Sequence, residues 1–209
     1  MKKLLLASSA GLALAVSSLA QADGYYVFGD YGRSDFDTGV SAAGINTDDT
    51  DSAFSLGVGF QYNEYLAVEL GYLDLGEASF STNAPVSGTV GGSSVTLDGS
   101  LDLDATGFFL GLRGNYALND AFTLFGRAGL LNWESDLTLA GTATIDGVAY
   151  TGSFSGEAAD GTDPYLGLGV EYNFNENLSA KLQYNRYFLD FEGEDLDVDT
   201  FTAGLSYRF

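Results

Sequence analysis

The sequence predicts an all-β fold: an eight-stranded antiparallel up-and-down β-barrel that crosses a membrane with its strands. Three observations predict it. Four segments repeat one alternating pattern: residues 56–63 read LGVGFQYN, 110–117 LGLRGNYA, 166–173 LGLGVEYN and 203–209 AGLSYRF. The connections between alternating stretches are short and long by turns. The closing stretch, TFTAGLSYRF over 200–209, is two-faced and ends on an aromatic residue.

Aligned, the repeats place Tyr62, Tyr116, Tyr172 and Phe209 at one point, at intervals of 54, 56 and 37 residues. Each repeat is preceded by another alternating stretch, so four units give eight strands. These are expected at about 25–32, 52–63, 66–78, 104–116, 122–138, 163–174, 178–191 and 198–209, since a half-buried strand alternates with period two. Residues 63–65, 117–121 and 175–177 are tight polar turns. Residues 33–51, 79–103, 139–162 and 192–197 form the other set, and three of them are long. Short turns at one end and long loops at the other mark a membrane barrel with its short turns in the periplasm. Two of the long loops are expected to hold hairpins that stand above the membrane. Asp146-Gly147 is a strong hairpin turn between 137–145 and 148–154, and Gly91-Gly92 plays the same part between 86–90 and 93–97.

The two faces follow from the repeat. Phe54, Leu56, Val58, Phe60 and Tyr62 form one apolar stripe, and Leu66, Val68, Leu70 and Tyr72 the next. Phe108, Leu110, Leu112 and Tyr116 follow, then Leu166, Leu168, Val170, Tyr172 and Phe174. Facing lipid, they supply the apolar band, with the aligned aromatic residues as its periplasmic girdle. The opposite face carries many glycines and a nearly balanced set of charges: Asp30, Glu69 and Glu171 against Arg113, Arg127, Lys181 and Arg208. A barrel of this size is narrow enough for side chains to fill. Buried charges must be paired, so the expectation is a salt-bridged plug, with glycines making room for the long charged arms. Strict alternation from Leu178 puts Arg186 on the lipid face, which points to a position above the bilayer or beyond a bulge.

Residues 1–22 read as a secretory signal peptide: Lys2 and Lys3, a short apolar run to Leu19, and Ala20-Gln21-Ala22 as an A-x-A cleavage site. The run is too short for a membrane anchor. One domain, 23–209, remains. Its six cations stand against all 29 acids, a formal −23. A basic nucleic-acid footprint is absent. Most acids fall in the long loops and make the cell-facing surface strongly anionic.

The chain has no histidine and no cysteine. That removes Ser-His-Asp and Cys-His chemistry and most zinc sites. Gly57-x-Gly59 and Gly167-x-Gly169 lack the third glycine and the helix of a dinucleotide fingerprint. No cofactor and no enzymatic activity are expected. Asp195-x-Asp197-x-Asp199 is the one weak metal candidate. It fails as an EF-hand, because Thr200 stands where glycine is needed and Ser206 where glutamate is needed.

These features resemble the small eight-stranded OmpA/OmpX-type barrels of Gram-negative outer membranes. The resemblance rests on the signal peptide, the strand repeat, DGYYVFG at 23–29, DPYLGLGVEY at 163–172 and the terminal Phe209. It implies a monomer in the outer membrane, in contact with the bilayer and lipopolysaccharide. It also implies insertion by the assembly machinery, which would read Tyr207 and Phe209 in the last strand. With nothing after Phe209, no peptidoglycan-binding domain is expected. The implied function is a structural or adhesin-like surface role through acidic loops, with no surface ligand identified. The alternative is a small porin-like channel.

Overall fold

The structure is a computed structural model that describes residues 24–37, 45–48, 50–82, 86–90, 93–191 and 194–209. The expected signal peptide lies outside the described residues. Ten strands follow one another: β1 (Tyr25–Asp37), β2 (Ile45–Asp48), β3 (Thr50–Asn63), β4 (Leu66–Thr82), β5 (Val86–Val90), β6 (Ser93–Ala117), β7 (Phe122–Ile145), β8 (Val148–Asn173), β9 (Leu178–Phe191) and β10 (Glu194–Arg208). Eight of them close a ring in the order β1-β3-β4-β6-β7-β8-β9-β10, and β10 pairs back onto β1. All these pairings are antiparallel. β2 and β5 are short additions to the upper parts of β4 and β6.

The short turns share a device. Asn63, Asn119 and Asn175 each turn the side-chain Oδ1 back to accept the backbone N–H groups two and three residues on. The sequences NEYL, NDAF and NENL are thus one Asx-turn pattern used three times. At the other end, Asp146 and Gly147 have φ of 50° and 82°. Positive φ at both central residues is what a type I′ hairpin demands, and it brings Ile145 opposite Val148.

The expected strands lie within observed ones, save for one residue past the ends of β8 and β10, but several observed strands are much longer. β6, β7 and β8 run for 25, 24 and 26 residues, to the hairpin tips. The expected hairpin about Asp146-Gly147 is therefore the upper end of β7 and β8, and in the other the short β5 pairs with the upper end of β6. Residues 137–145 alternate in phase with the strand beneath them, so nothing breaks the ladder. Pro164 stays in the β7 ladder opposite Leu130, and one register shift near Ser135 and Asp136 is absorbed. Three of these strands form a sheet that stands above the ring.

Alternation sets the two faces of the wall. Leu56, Leu70, Leu110, Leu112, Leu168 and Leu205 are exposed on the outside. Inside, a buried apolar layer fills the long-loop half of the lumen: Phe36, Leu73, Leu75, Leu131, Trp133, Leu189 and Val198. The register of β9 runs without interruption through Arg186 on both sides, so no bulge displaces it.

Candidate functional site

The lower lumen holds a compact ionic network. Arg127 Nε lies 2.7 Å from Glu69 Oε2, and Arg113 Nη1 lies 3.7 Å from Glu69 Oε1. Arg113 Nη2 donates to Glu171 Oε2 at 2.7 Å. Lys181 Nζ sits 3.1 Å from Asp30 Oδ1, whose other oxygen accepts from Ser55 Oγ at 2.8 Å. Tyr26 Oη donates to Glu69 Oε1 at 2.8 Å. Three cations meet three carboxylates, and all six residues are buried. Such charges persist in a dry interior only when paired and hydrogen-bonded.

Aromatic rings wrap the network. The Arg113 guanidinium lies 4.0 Å from the Phe125 ring centre, and the Lys181 ammonium 4.0 Å from that of Phe28. Arg127 faces Phe109 at 5.1 Å. A cation over a ring face gains from the ring quadrupole, the more so when desolvated. Neither these rings nor Tyr26, Tyr165 and Tyr187 stood out in the sequence as lumen residues. For all of them but Tyr187 the signal is a glycine across from the ring. A Cβ on Gly59 would lie 2.1 Å from the Tyr26 ring, and one on Gly57 2.4 Å from Phe28. Gly71 faces Phe109 at 2.5 Å and Gly169 faces Phe125 at 2.4 Å in the same sense. The glycines make room mainly for rings, not for charged arms as the sequence suggested.

Arg208 departs from expectation. It is exposed, and none of the ion pairs among the described residues includes it. It stands at the mouth with the short turns, where water solvates it and no carboxylate needs to follow it inward. Its backbone carbonyl accepts from Asn177 Nδ2 at 2.8 Å. A cavity of about 580 Å³ opens there, with Arg208, Gln61, Asn115, Ser179 and Ser206 in its wall. It ends at Arg113 and Glu171, below the apolar layer.

The remaining candidates lie on the outside. Arg186 Nε donates to Asp199 Oδ1 at 2.6 Å, Tyr184 Oη donates to the same atom at 2.7 Å, and Asp197 Oδ2 is 3.7 Å from Arg186 Nη1. The expected metal candidates Asp197 and Asp199 thus flank a guanidinium, and the Asp195 side chain lies outside the described residues. Among the described residues no group of three carboxylates is disposed to hold a metal. Tyr207 points outward, and its ring meets that of Phe209 edge-on at 5.3 Å. The Phe209 N–H donates to Tyr25 O at 3.1 Å, on the seam that closes the ring.

Rings with polar tips mark both borders of the outer apolar band: Tyr62, Tyr116, Tyr172 and Tyr207 below, Tyr31 and Tyr72 above. No helix among the described residues is long and apolar enough to cross a membrane. A closed barrel is the other way to satisfy every backbone group in lipid. The family model of the outer membrane protein beta-barrel domain matches residues 4–209. The chain belongs to this family.

As a member, it is an outer-membrane barrel of a Gram-negative bacterium. It is 26% identical over 210 residues to outer membrane protein A of Klebsiella aerogenes, covering 96% of this chain and 52% of that protein. It is 28% identical to outer membrane protein A of Yersinia pseudotuberculosis serotype I (strain IP32953), covering 95% and 52%. The chain spans about half the length of these curated relatives. Among solved structures it is similar to Ail, the attachment invasion locus protein of Yersinia pestis, with 16% identity and a TM-score of 0.47, covering 90% of this chain and all of that one. Neisserial surface protein A is similar with 14% identity and a TM-score of 0.49, covering 90% and 98%.

Proposed function

We propose that this family member is a closed, non-catalytic barrel that acts at the cell surface through the sheet above its ring, and does not conduct solutes. One observation carries this reading. The lumen is occupied across its width, first by the paired charges of Asp30, Glu69, Arg113, Arg127, Glu171 and Lys181, then by the apolar layer around Trp133. Side chains packed at that level support a lumen closed to water and ions.

The surface role draws on the length of β6, β7 and β8, which carry rigid structure well beyond what spanning a bilayer needs. Acids gathered on that structure favour cationic partners. The barrel acts as a monomer in contact with lipopolysaccharide, and the assembly machinery reads Tyr207 and Phe209 at the β10 seam. The porin-like alternative draws on the cavity at the periplasmic mouth, which stops at Arg113 and Glu171. Liposome swelling in an isosmotic sugar tests the reading. Liposomes that hold the protein swell no faster than empty ones if it is right. Swelling at the rate given by a general porin overturns it.

A further inference from the structure

The three short turns each place one acid at the same point. Glu64, Asp120 and Glu176 directly follow the Asx-turn residues Asn63, Asn119 and Asn175. All three are exposed and line the cavity at the periplasmic mouth. Arg208 is the cation that shares this rim with them. Beneath the rim the inner network is balanced, with Asp30, Glu69 and Glu171 against Arg113, Arg127 and Lys181. The mouth is therefore left with three acids against one cation, a formal −2.

The floor holds a second, independent feature. Glu171 is only 4% exposed and closes the cavity from below together with Arg113. Its Oε2 accepts from Arg113 Nη2 at 2.7 Å, and its Oε1 has no hydrogen bond or ion pair among the described residues. A carboxylate oxygen held out of bulk water without a donor is costly. Arg113 spends its other nitrogens elsewhere: Nε donates to Asn115 Oδ1 at 2.8 Å, and Nη1 is turned to Glu69. The Ser179 and Ser206 hydroxyls in the same wall bond to each other at 2.9 Å. Ala117 and Ala121 add a small apolar patch to the wall.

We propose that this cavity binds a linear alkyl diamine or polyamine. One protonated amine donates to Glu171 Oε1 in the floor. The other sits among Glu64, Asp120 and Glu176 at the rim, and the alkyl stem lies along Ala117 and Ala121. An ammonium carries three donors and no acceptor, which suits a floor whose open position is an acceptor. Two positive charges match the excess of the mouth. An anion finds only Arg208, which water already solvates at the rim. The cavity is blind, so it serves binding and not passage. It lies at the opposite end from the outer sheet, and neither the site nor its test depends on what that sheet meets.

The test uses isotope-labelled barrel in nanodiscs of zwitterionic lipid, titrated with cadaverine at neutral pH and followed by amide chemical shifts. Saturable shifts confined to the short-turn end, over residues 113–123 and 171–179, are expected. Thr123 stands directly opposite Glu171 and lines the cavity. Thr123→Lys brings the chain's own ammonium to the floor and should abolish the shifts. Glu171→Gln should weaken binding at least about tenfold, the scale of a hydrogen bond to a charged group. Asp120→Asn with Glu176→Gln, both at exposed positions, should weaken it about threefold to tenfold, the scale of two screened charge pairs. Dispersed amide spectra show that each variant folds, and if Glu171→Gln does not, Thr123→Lys decides. Shifts that fail to saturate overturn the proposal, as does binding that Thr123→Lys leaves intact. Magnesium chloride that moves the same amides equally overturns it in favour of plain counter-ion binding. A lysine-rich peptide that binds where cadaverine does not overturns it in favour of a polypeptide partner.

Discussion

Arg127 Nε and Glu69 Oε2 stand 2.7 Å apart at the centre of the lumen, on β7 and β4, two strands that do not pair with each other. The contact therefore ties two strands on either side of β6 through the interior of the ring. Glu69 also receives Arg113 and Tyr26. Replacing Glu69 by Leu strands the buried Arg127 guanidinium and leaves Arg113 with Glu171 alone, a change expected to cost about 3–5 kcal/mol. Urea titration of the protein in liposomes measures this. A midpoint unchanged from wild type contradicts the network.

The outer pair of Arg186 and Asp199 provides the contrast. Its side chains are 41% and 31% exposed, so solvent screens the attraction. Arg186→Gln is expected to cost less than about 1 kcal/mol in the same titration. A loss equal to that of Glu69→Leu contradicts the assignment of Arg186 to the solvated rim.

Ring seating gives a second contrast. Gly59→Ala drives a methyl group into the Tyr26 ring, from which it would lie 2.1 Å away. Overpacking of this kind costs about 1–3 kcal/mol. Gly126→Ala places its methyl group on the outer face, with the Gly167 carbonyl oxygen 3.8 Å away as its nearest neighbour. It is expected to be neutral. Refolding yields and urea midpoints of the two variants decide; equal behaviour removes the glycine–ring account.

Glu77 and Asp136 stand opposite Asp104 on the strands to either side, and this run of acids predicts a pH dependence. Burial and then the Asp136 carboxylate push the Asp104 carboxyl above its ordinary range, with Glu77 and Asp74 adding to the effect. Asp104 lies four residues above Phe108, outside the lipid band. A raised native value means the folded sheet prefers the protonated form. Its contribution is full below the unfolded value of about 4 and is lost as pH rises through the raised native value. Asp104→Asn should steady the upper sheet at neutral pH by about 0.5 kcal/mol, and not at lower pH. Amide exchange over residues 100–106 reads this; equal protection at neutral pH in the variant and wild type contradicts it.

Much of the barrel is legible in the sequence because its wall separates lipid from a packed interior at every second residue. Leu110 and Arg113 fall on opposite faces for that reason alone. The lumen charges were legible too, apart from Arg208, whose place at the strand end puts it in the mouth. The hairpin tips that end β6, β7 and β8 were legible, but the continuity of those arms with the barrel strands was not, since alternation does not say where lipid stops. The aromatic lining was hidden because Phe109 and Phe125 are apolar like the lipid face; only the glycines across from them, Gly71 and Gly169, betray their direction. Asp163 Oδ2 accepts from both Trp133 Nε1 and the Asp190 backbone N–H; this needs three strands in place at once, and no local pattern announces it.

Single-channel recording in planar bilayers tests the central claim most directly. With the lumen filled by the Glu69 network and the layer around Trp133, wild-type protein should give no stable current steps. Steady unitary currents that persist after residues 81–100 and 140–160 are trimmed would contradict the closed barrel.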